Sequence, residues 1–291
     1  MRSVVGVKKI QVPIRASGVF DIEGKVYVYG NINLDAALYD IKNDKVTKVR
    51  SLGVWIEQTE VVNDYVILRD NSKPTRIVRI PKEIILEDRE VVEGELLCSD
   101  KYAELGIVVN GKYLVLQSKG LTVIYKYEGF CEDENKVGYI PFSNYKKLVL
   151  IDNMLITIDN KGKLRIYHLD GPKYKLGREM LPNEIIRLNL PFRPIMMKQV
   201  NDKILIVPNA GRKVAVLEIN ELEKLDIVEL LPFDDVYDIT LYNDKIIVAT
   251  DEELIVQNEE KIKVKSGRYL YNAANKLFLV NGYSELYEVL I

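Results

Sequence analysis

Carboxylates are the residues of this chain best placed to do chemistry. Asp234 and Asp235 follow directly on Leu231-Pro232-Phe233, and Asp238 comes shortly after them. Acidic side chains gathered around a turn can ligate a divalent cation, or serve as general acid and base, when other segments add partners. They can as readily hydrogen-bond the loop that carries them. The spaced Asp and Gly of a calcium-binding loop do not occur. Nucleophilic catalysis has little to build on. The one histidine, His168, sits in the strand-like run Arg165-Ile166-Tyr167-His168-Leu169 and reads as structural. No Gly-x-Ser-x-Gly elbow, P-loop or Gly-x-Gly-x-x-Gly is present. One histidine and two cysteines exclude His-rich metal sites and a disulfide framework. Cys98 and Cys131 read as buried free thiols. A Cys98–Cys131 disulfide is the alternative, since intracellular proteins of hyperthermophiles carry such bonds.

Composition narrows the partners. Lys plus Arg is 41 against 43 for Asp plus Glu, a net charge of −2. A dedicated nucleic-acid binder usually shows a basic excess, so nucleic acid is disfavoured. Lys8-Lys9, Lys146-Lys147 and Lys161-Gly162-Lys163 read as solvated edges. The 18 tyrosines could stack single-stranded bases. They mostly alternate within strand-like runs, however, which points to packing. No apolar leader follows Met1, and no run of about 18 apolar residues occurs. The expectation is a cytoplasmic protein without membrane insertion or cofactor. Plentiful Lys, Glu, Ile, Val and Tyr with scarce Gln and His lean towards a thermophile.

The elements that must position these residues come from a repeat. Seven turn dipeptides precede strand-like runs: Glu23-Gly24, Asn63-Asp64, Asn110-Gly111, Asp152-Asn153, Asn201-Asp202, Asn243-Asp244 and Ala274-Asn275. Most are the Asn, Asp and Gly pairs that tolerate the positive φ of tight hairpins. Their intervals are 40, 47, 42, 49, 42 and 31 residues. That spacing suits four-stranded propeller blades, at about 40–45 residues each. A helical solenoid shares that period, but within each copy the runs alternate with period two, which favours strands. The fourth run of a copy is the most charged, as Lys45–Val49 and Lys261–Val264 show, and suits a solvent-facing outer edge.

A second motif runs in phase with the first. Val12-Pro13-Ile14, Leu52-Gly53-Val54, Ile140-Pro141-Phe142, Leu190-Pro191-Phe192 and Leu231-Pro232-Phe233 each lie 10 or 11 residues before a turn dipeptide. Pro lacks a ladder donor and Gly weakens a strand, so these mark crossings between blades. The last copy ends after a third strand near Glu285–Leu290. The segment Val4–Val12 is therefore expected to supply its outer strand and close the ring.

These motifs resemble the WD40/YVTN-like group of seven-bladed β-propellers. The resemblance is architectural: the only Trp, Trp55, is followed by Ile56, and the Trp-Asp and Gly-His signatures are absent. It implies an all-β, seven-bladed propeller of four-stranded blades, spanning 1–291 as a single domain.

The expected function is that of a protein-interaction scaffold or assembly subunit, binding a protein partner through one face. Residues just after the crossings would form that face: Arg15, Trp55, Asn144, Tyr145, Arg193, Asp234, Asp235 and, by register, Arg268. Trp, Tyr and Arg dominate interface hot spots. The alternative is a propeller enzyme, or a small-ligand or metal binder, using carboxylates at the central channel. The two long intervals are expected to form protruding loops, 97–104 and 170–182, and repeat insertions tend to gather on the binding face.

Overall fold

The computed structural model describes residues 5–100, 103–128, 131–140, 148–158, 163–176 and 179–291. Seven antiparallel sheets follow one another along the chain as blades. Blade one comprises Arg15–Ile22, Lys25–Ile32, Asp35–Asp40 and Lys45–Val49. Blade two comprises Ile56–Val62, Tyr65–Asp70, Thr75–Pro81 and Glu95–Asp100. Blade three runs from Gly106–Val109 to Lys136–Ile140, and blade four from Leu148–Ile151 to Glu179–Asn189. Blade five runs from Pro194–Val200 to Leu225–Phe233, and blade six from Asp238–Tyr242 to Ile262–Lys263. Blade seven holds Gly267–Ala273, Lys276–Asn281 and Leu286–Leu290, with Gly6–Ile10 as its outer strand. Gly6 pairs with Leu290 and Ile10 with Leu286, so the start of the chain closes the ring, as expected.

All seven turn dipeptides join the first and second strands of a blade. Glu23, Asn63, Asp152, Asn201, Asn243 and Ala274 take φ between 47° and 56°. These are left-handed conformations of the kind that match the twist of a two-residue hairpin. The described crossing motifs fall where a fourth strand hands over to the next first strand; Pro141 lies outside the described residues.

The core is a ring of layers between blades. In blade two, Val66 and Leu68 face blade one while Ile67 faces blade three, all fully buried. Period-two alternation here puts apolar residues on both faces of a second strand, because each blade is covered on both sides. Seven such clusters run round the molecule, each drawn mainly from two consecutive blades.

The insertions correct two expectations. The extra length of blade two is not at 97–104. Leu97 and Cys98 are buried in the outer strand, and the added residues form the helix Lys82–Leu86 and the short strand Val91–Val92. That strand pairs in parallel with Lys48–Val49 and makes a fifth strand on blade one. In blade four the extra length extends a hairpin, Lys163–Leu176 with Glu179–Asn189, past a bulge between His168 and Lys173. Both insertions join a third strand to a fourth. They therefore lie on the face of the first-to-second hairpins, opposite the crossings, and not on the expected binding face. Cys98 and Cys131 are joined in a disulfide, with Cα atoms 5.4 Å apart, so the free-thiol reading is also corrected. The bond ties the outer strand of blade two to the loop before the outer strand of blade three.

No helix among the described residues is long and apolar enough to cross a membrane.

Candidate binding face and channel mouth

The crossing face is organised first by Asp70, which ends the second strand of blade two. Its carboxylate is 0% exposed. It accepts hydrogen bonds from the backbone N–H groups of Gly53, Ser72 and Arg76, and from the Ser72 hydroxyl, at 2.6–3.1 Å. Four donors replace the water that burial removed. A Cβ on Gly53 would stand 3.1 Å from Asp70 Oδ2 and 3.2 Å from Ser72 Cβ, so the close approach favours glycine at this crossing.

Trp55 follows directly. Its indole N–H donates to the Ser17 hydroxyl, and the Arg15 guanidinium lies 4.9 Å from its ring centroid. The carbonyl of the preceding Val54 accepts from Asn31 Nδ2 at 2.7 Å. Arg15 and Trp55, which the sequence places at equivalent points of neighbouring blades, are thus in contact. Beside them, the turn Asn33-Leu34 has φ of 49° and 70°, and Leu34 is 77% exposed. Val54 is 44% exposed.

The other expected residues are spread round the same face. Arg268 pairs with Asp251 and stacks 3.8 Å from the Tyr237 ring centroid. Arg193 is exposed at the start of blade five. Asp234 and Asp235 are exposed at the blade-six crossing and share a shallow groove with Asp251 and Glu252. Asn144 and Tyr145 lie outside the described residues.

Trp55 and Arg268 also line a cavity of about 650 Å³ at the mouth of the central channel. Its walls come from blades one, two, five, six and seven. Sequence reasoning missed most of its polar groups. Glu57 pairs with the buried Arg69 at 3.0 Å. Lys198 pairs with Asp238 at 3.0 Å and donates to the Leu270 carbonyl at 2.8 Å. Asp238 also accepts from the N–H groups of Ile239 and Leu270, each at 2.8 Å, so it stitches blades five, six and seven together. Gln58 bridges to blade three, accepting from Ile107 N–H at 3.0 Å and donating to its carbonyl at 2.6 Å. Glu60 accepts from Gln58 at 3.0 Å. Burial in the channel, opposed by the Gln58 hydrogen bond and the charge of Lys198, pushes its carboxyl up to about 7. Tyr29 and Tyr271 meet edge to face at 6.2 Å, and Tyr271 donates to the Ser17 carbonyl at 2.9 Å. Burial, then the neighbouring Tyr29 and Asp238, hold the Tyr271 phenol well above its usual range. A signal was available: Ile56-Glu57-Gln58-Thr59-Glu60 and Met196-Met197-Lys198 put charges into innermost strands, which otherwise pack between blades.

Asp238, read as a channel carboxylate, is fully engaged in structure. Among the described residues, no group of three or more His, Cys, Asp or Glu side chains is placed to hold a metal ion. His168 lies in the third strand of blade four beside Asn153, away from the channel.

No protein-family model and no curated protein matches the chain. Solved structures do. The WD40 β-propeller domain of Doa1 superposes with a TM-score of 0.63, covering 99% of this chain and 96% of that one at 9% identity. The fold is that of a WD40-type propeller. A chain of the mitotic checkpoint complex gives 0.66 over 100% of this propeller and 93% of that chain, also at 9% identity. BamB from Moraxella catarrhalis gives 0.56 at 12% identity, over 94% and 84%. At these identities the likeness carries the fold alone.

Proposed function

We propose that this propeller is a scaffold that binds a polypeptide partner through its crossing face, using Arg15, Trp55, Arg193, Asp234, Asp235 and Arg268. The observation that carries the reading is Leu34. A left-handed conformation costs a residue with a Cβ about 1–2 kcal/mol, and glycine or asparagine would remove most of that cost. The side chain is 77% exposed, so it returns almost nothing to the core. A strained, exposed leucine beside an exposed valine and a tryptophan under an arginine suits an apolar contact with a cationic rim. That one similar chain belongs to the mitotic checkpoint complex is consistent with this use of the fold.

The test is affinity capture from a lysate of the source cells, followed by reconstitution with the purified candidate. Leu34→Asp combined with Arg193→Glu should lower the affinity of the reconstituted pair at least tenfold. Both side chains are exposed, so melting should stay within about 2 °C of the wild type. Trp55→Ala should weaken binding in the same assay. Undiminished binding by the well-folded double variant would refute this face as the contact.

A further inference from the structure

The acids and bases at the channel mouth can be matched one against another. Glu57 has Arg69, Asp238 has Lys198, and Arg268 has Asp251 outside the cavity. Glu60 remains. Its partner among the described residues is the neutral amide of Gln58, and no cation is bonded to it. Four aromatic side chains line the same space: Tyr29, Trp55, Tyr269 and Tyr271. The Lys198 ammonium already lies 6.0 Å from the Tyr271 ring centroid, so this lumen holds a cation against an aromatic face.

We propose that the channel mouth is a binding site for an organic cation, an ammonium or guanidinium group, whose charge is met by the Glu60 carboxylate within a wall of aromatic rings. A volume of about 650 Å³ suits one small ligand or one long side chain with its water. Aromatic faces favour a cation over a neutral group, the more so when it is partly desolvated. An anion would meet Lys198, Arg69 and Arg268 already neutralised. The charged and titratable groups lining the mouth with Glu60 are Glu57 and Arg69 of its own blade, Lys198 of blade five, Asp238 of blade six, Arg268, Tyr269 and Tyr271 of blade seven, and Tyr29 of blade one. A carboxyl held near neutrality must give up its proton to take the cation. Binding therefore releases a proton and strengthens as pH rises through about 7. The site shares Trp55 and Arg268 with the polypeptide contact proposed above, but cation binding does not require that reading to hold. The cation can arrive free or on a partner's side chain.

Calorimetry on the purified chain separates these. The probes are spermidine, a free polyamine, and acetyl-arginine amide, a lone guanidinium as a polypeptide would present it. At least one should bind with a dissociation constant below 1 mM. The fraction of ionised Glu60 rises about tenfold from pH 6 to pH 8, and affinity should rise by the same factor. Titrations near pH 6.5 in two buffers of different ionisation heat should show proton release from the wild type. Glu60→Gln should lose at least tenfold in affinity, whereas Glu252→Gln, in the outer acidic groove, should not. Preference for spermidine points to a free polyamine, and preference for the arginine amide to a presented side chain. No binding of either probe, binding without proton release, or loss only in the outer-groove variant would overturn the proposal. Each result is read without a partner, so it stands apart from the scaffold reading.

Discussion

The hairpin face beside blade one and the crossing face at Arg193, Asp234 and Asp235 use their charged side chains in opposite ways. On the hairpin face, Lys25 lies 2.9 Å from Asp40 and donates to Asp88 at 2.8 Å, and Asn43 donates to Asp88 at 2.8 Å. Asp88 belongs to the blade-two insertion, so this cluster clamps added chain onto blade one. On the crossing face Arg193, Asp234 and Asp235 are exposed and form no ion pair among the described residues. The contrast follows from the fold. The apolar layers between blades hold the ring, and both faces are left free to vary. Charges close on one another where the blade-two insertion was added, whereas at Arg193, Asp234 and Asp235 they stay open to solvent.

The clearest separation of the two faces is energetic. Asp40 is almost fully buried, so Asp40→Ala leaves the Lys25 ammonium with Asp88 alone and takes the acceptor from the Lys42 and Asn43 N–H groups. At about 1–3 kcal/mol for each donor that loses its acceptor, the loss should reach about 3–5 kcal/mol, whereas Arg193→Ala should change stability by no more than about 0.5 kcal/mol. Urea denaturation of the two variants measures both. Equal losses would mean that Arg193 is held by the fold after all.

The disulfide comes next and also belongs to the hairpin side. It spans 33 residues. Closing a loop of that length in the unfolded chain stabilises by about 3–4 kcal/mol on the chain-entropy account. Cys98→Ser with Cys131→Ser should melt well below the wild type and be indifferent to reducing agent, while the wild type should be sensitive to it. A wild type whose melting ignores reduction would show that the bond contributes nothing.

Local chemistry explains which of these features could be read in advance. The blades were readable because Asn-Asp, Asp-Asn and Glu-Gly pairs state a backbone conformation by themselves, and because Pro13, Gly53, Pro191 and Pro232 mark crossings without reference to anything distant. Closure was readable because a missing strand and a spare one are both local facts. The position of the blade-two insertion was not. Leu97 and Cys98 look like any apolar pair until the pairing with Arg79 to Thr75 claims them for the outer strand. The channel mouth was half readable. Charges in innermost strands announce a lumen, but the pairing of Lys198 with Asp238 and of Glu57 with Arg69 depends on contacts between strands or blades that no spacing records. The cysteine pairing failed for the same reason.

Glu60 and Asp70 are a matched contrast within blade two. Asp70 has four donors and Glu60 has one amide. A carboxyl raised to about 7 binds its proton more tightly folded than unfolded, so stability falls as pH climbs from the ordinary carboxyl range through 7. Glu60→Gln removes that dependence. It should be stabilising by about 1–3 kcal/mol at pH 8, and nearly neutral at pH 4.5, where both forms are uncharged. Melting curves at the two pH values decide it. A variant that gains nothing at pH 8 would place Glu60 in ordinary solvent.

The smallest effect concerns Leu34, and it is the one that ties stability to use. Leu34→Gly relieves a left-handed strain of about 1–2 kcal/mol. It adds unfolded-state freedom that takes back about 0.5–1 kcal/mol. Little packing is lost, because 77% of the residue faces solvent. The variant should therefore be as stable as the wild type or better, by up to about 1 kcal/mol. Leu34→Asn keeps a Cβ and tolerates the same conformation, so it should gain at least as much. If both variants gain stability and lose partner binding, the strain is retained for contact. If both gain stability and bind as before, Leu34 has no part in the interface, and the open charges at Arg193 and Asp234 must carry it instead.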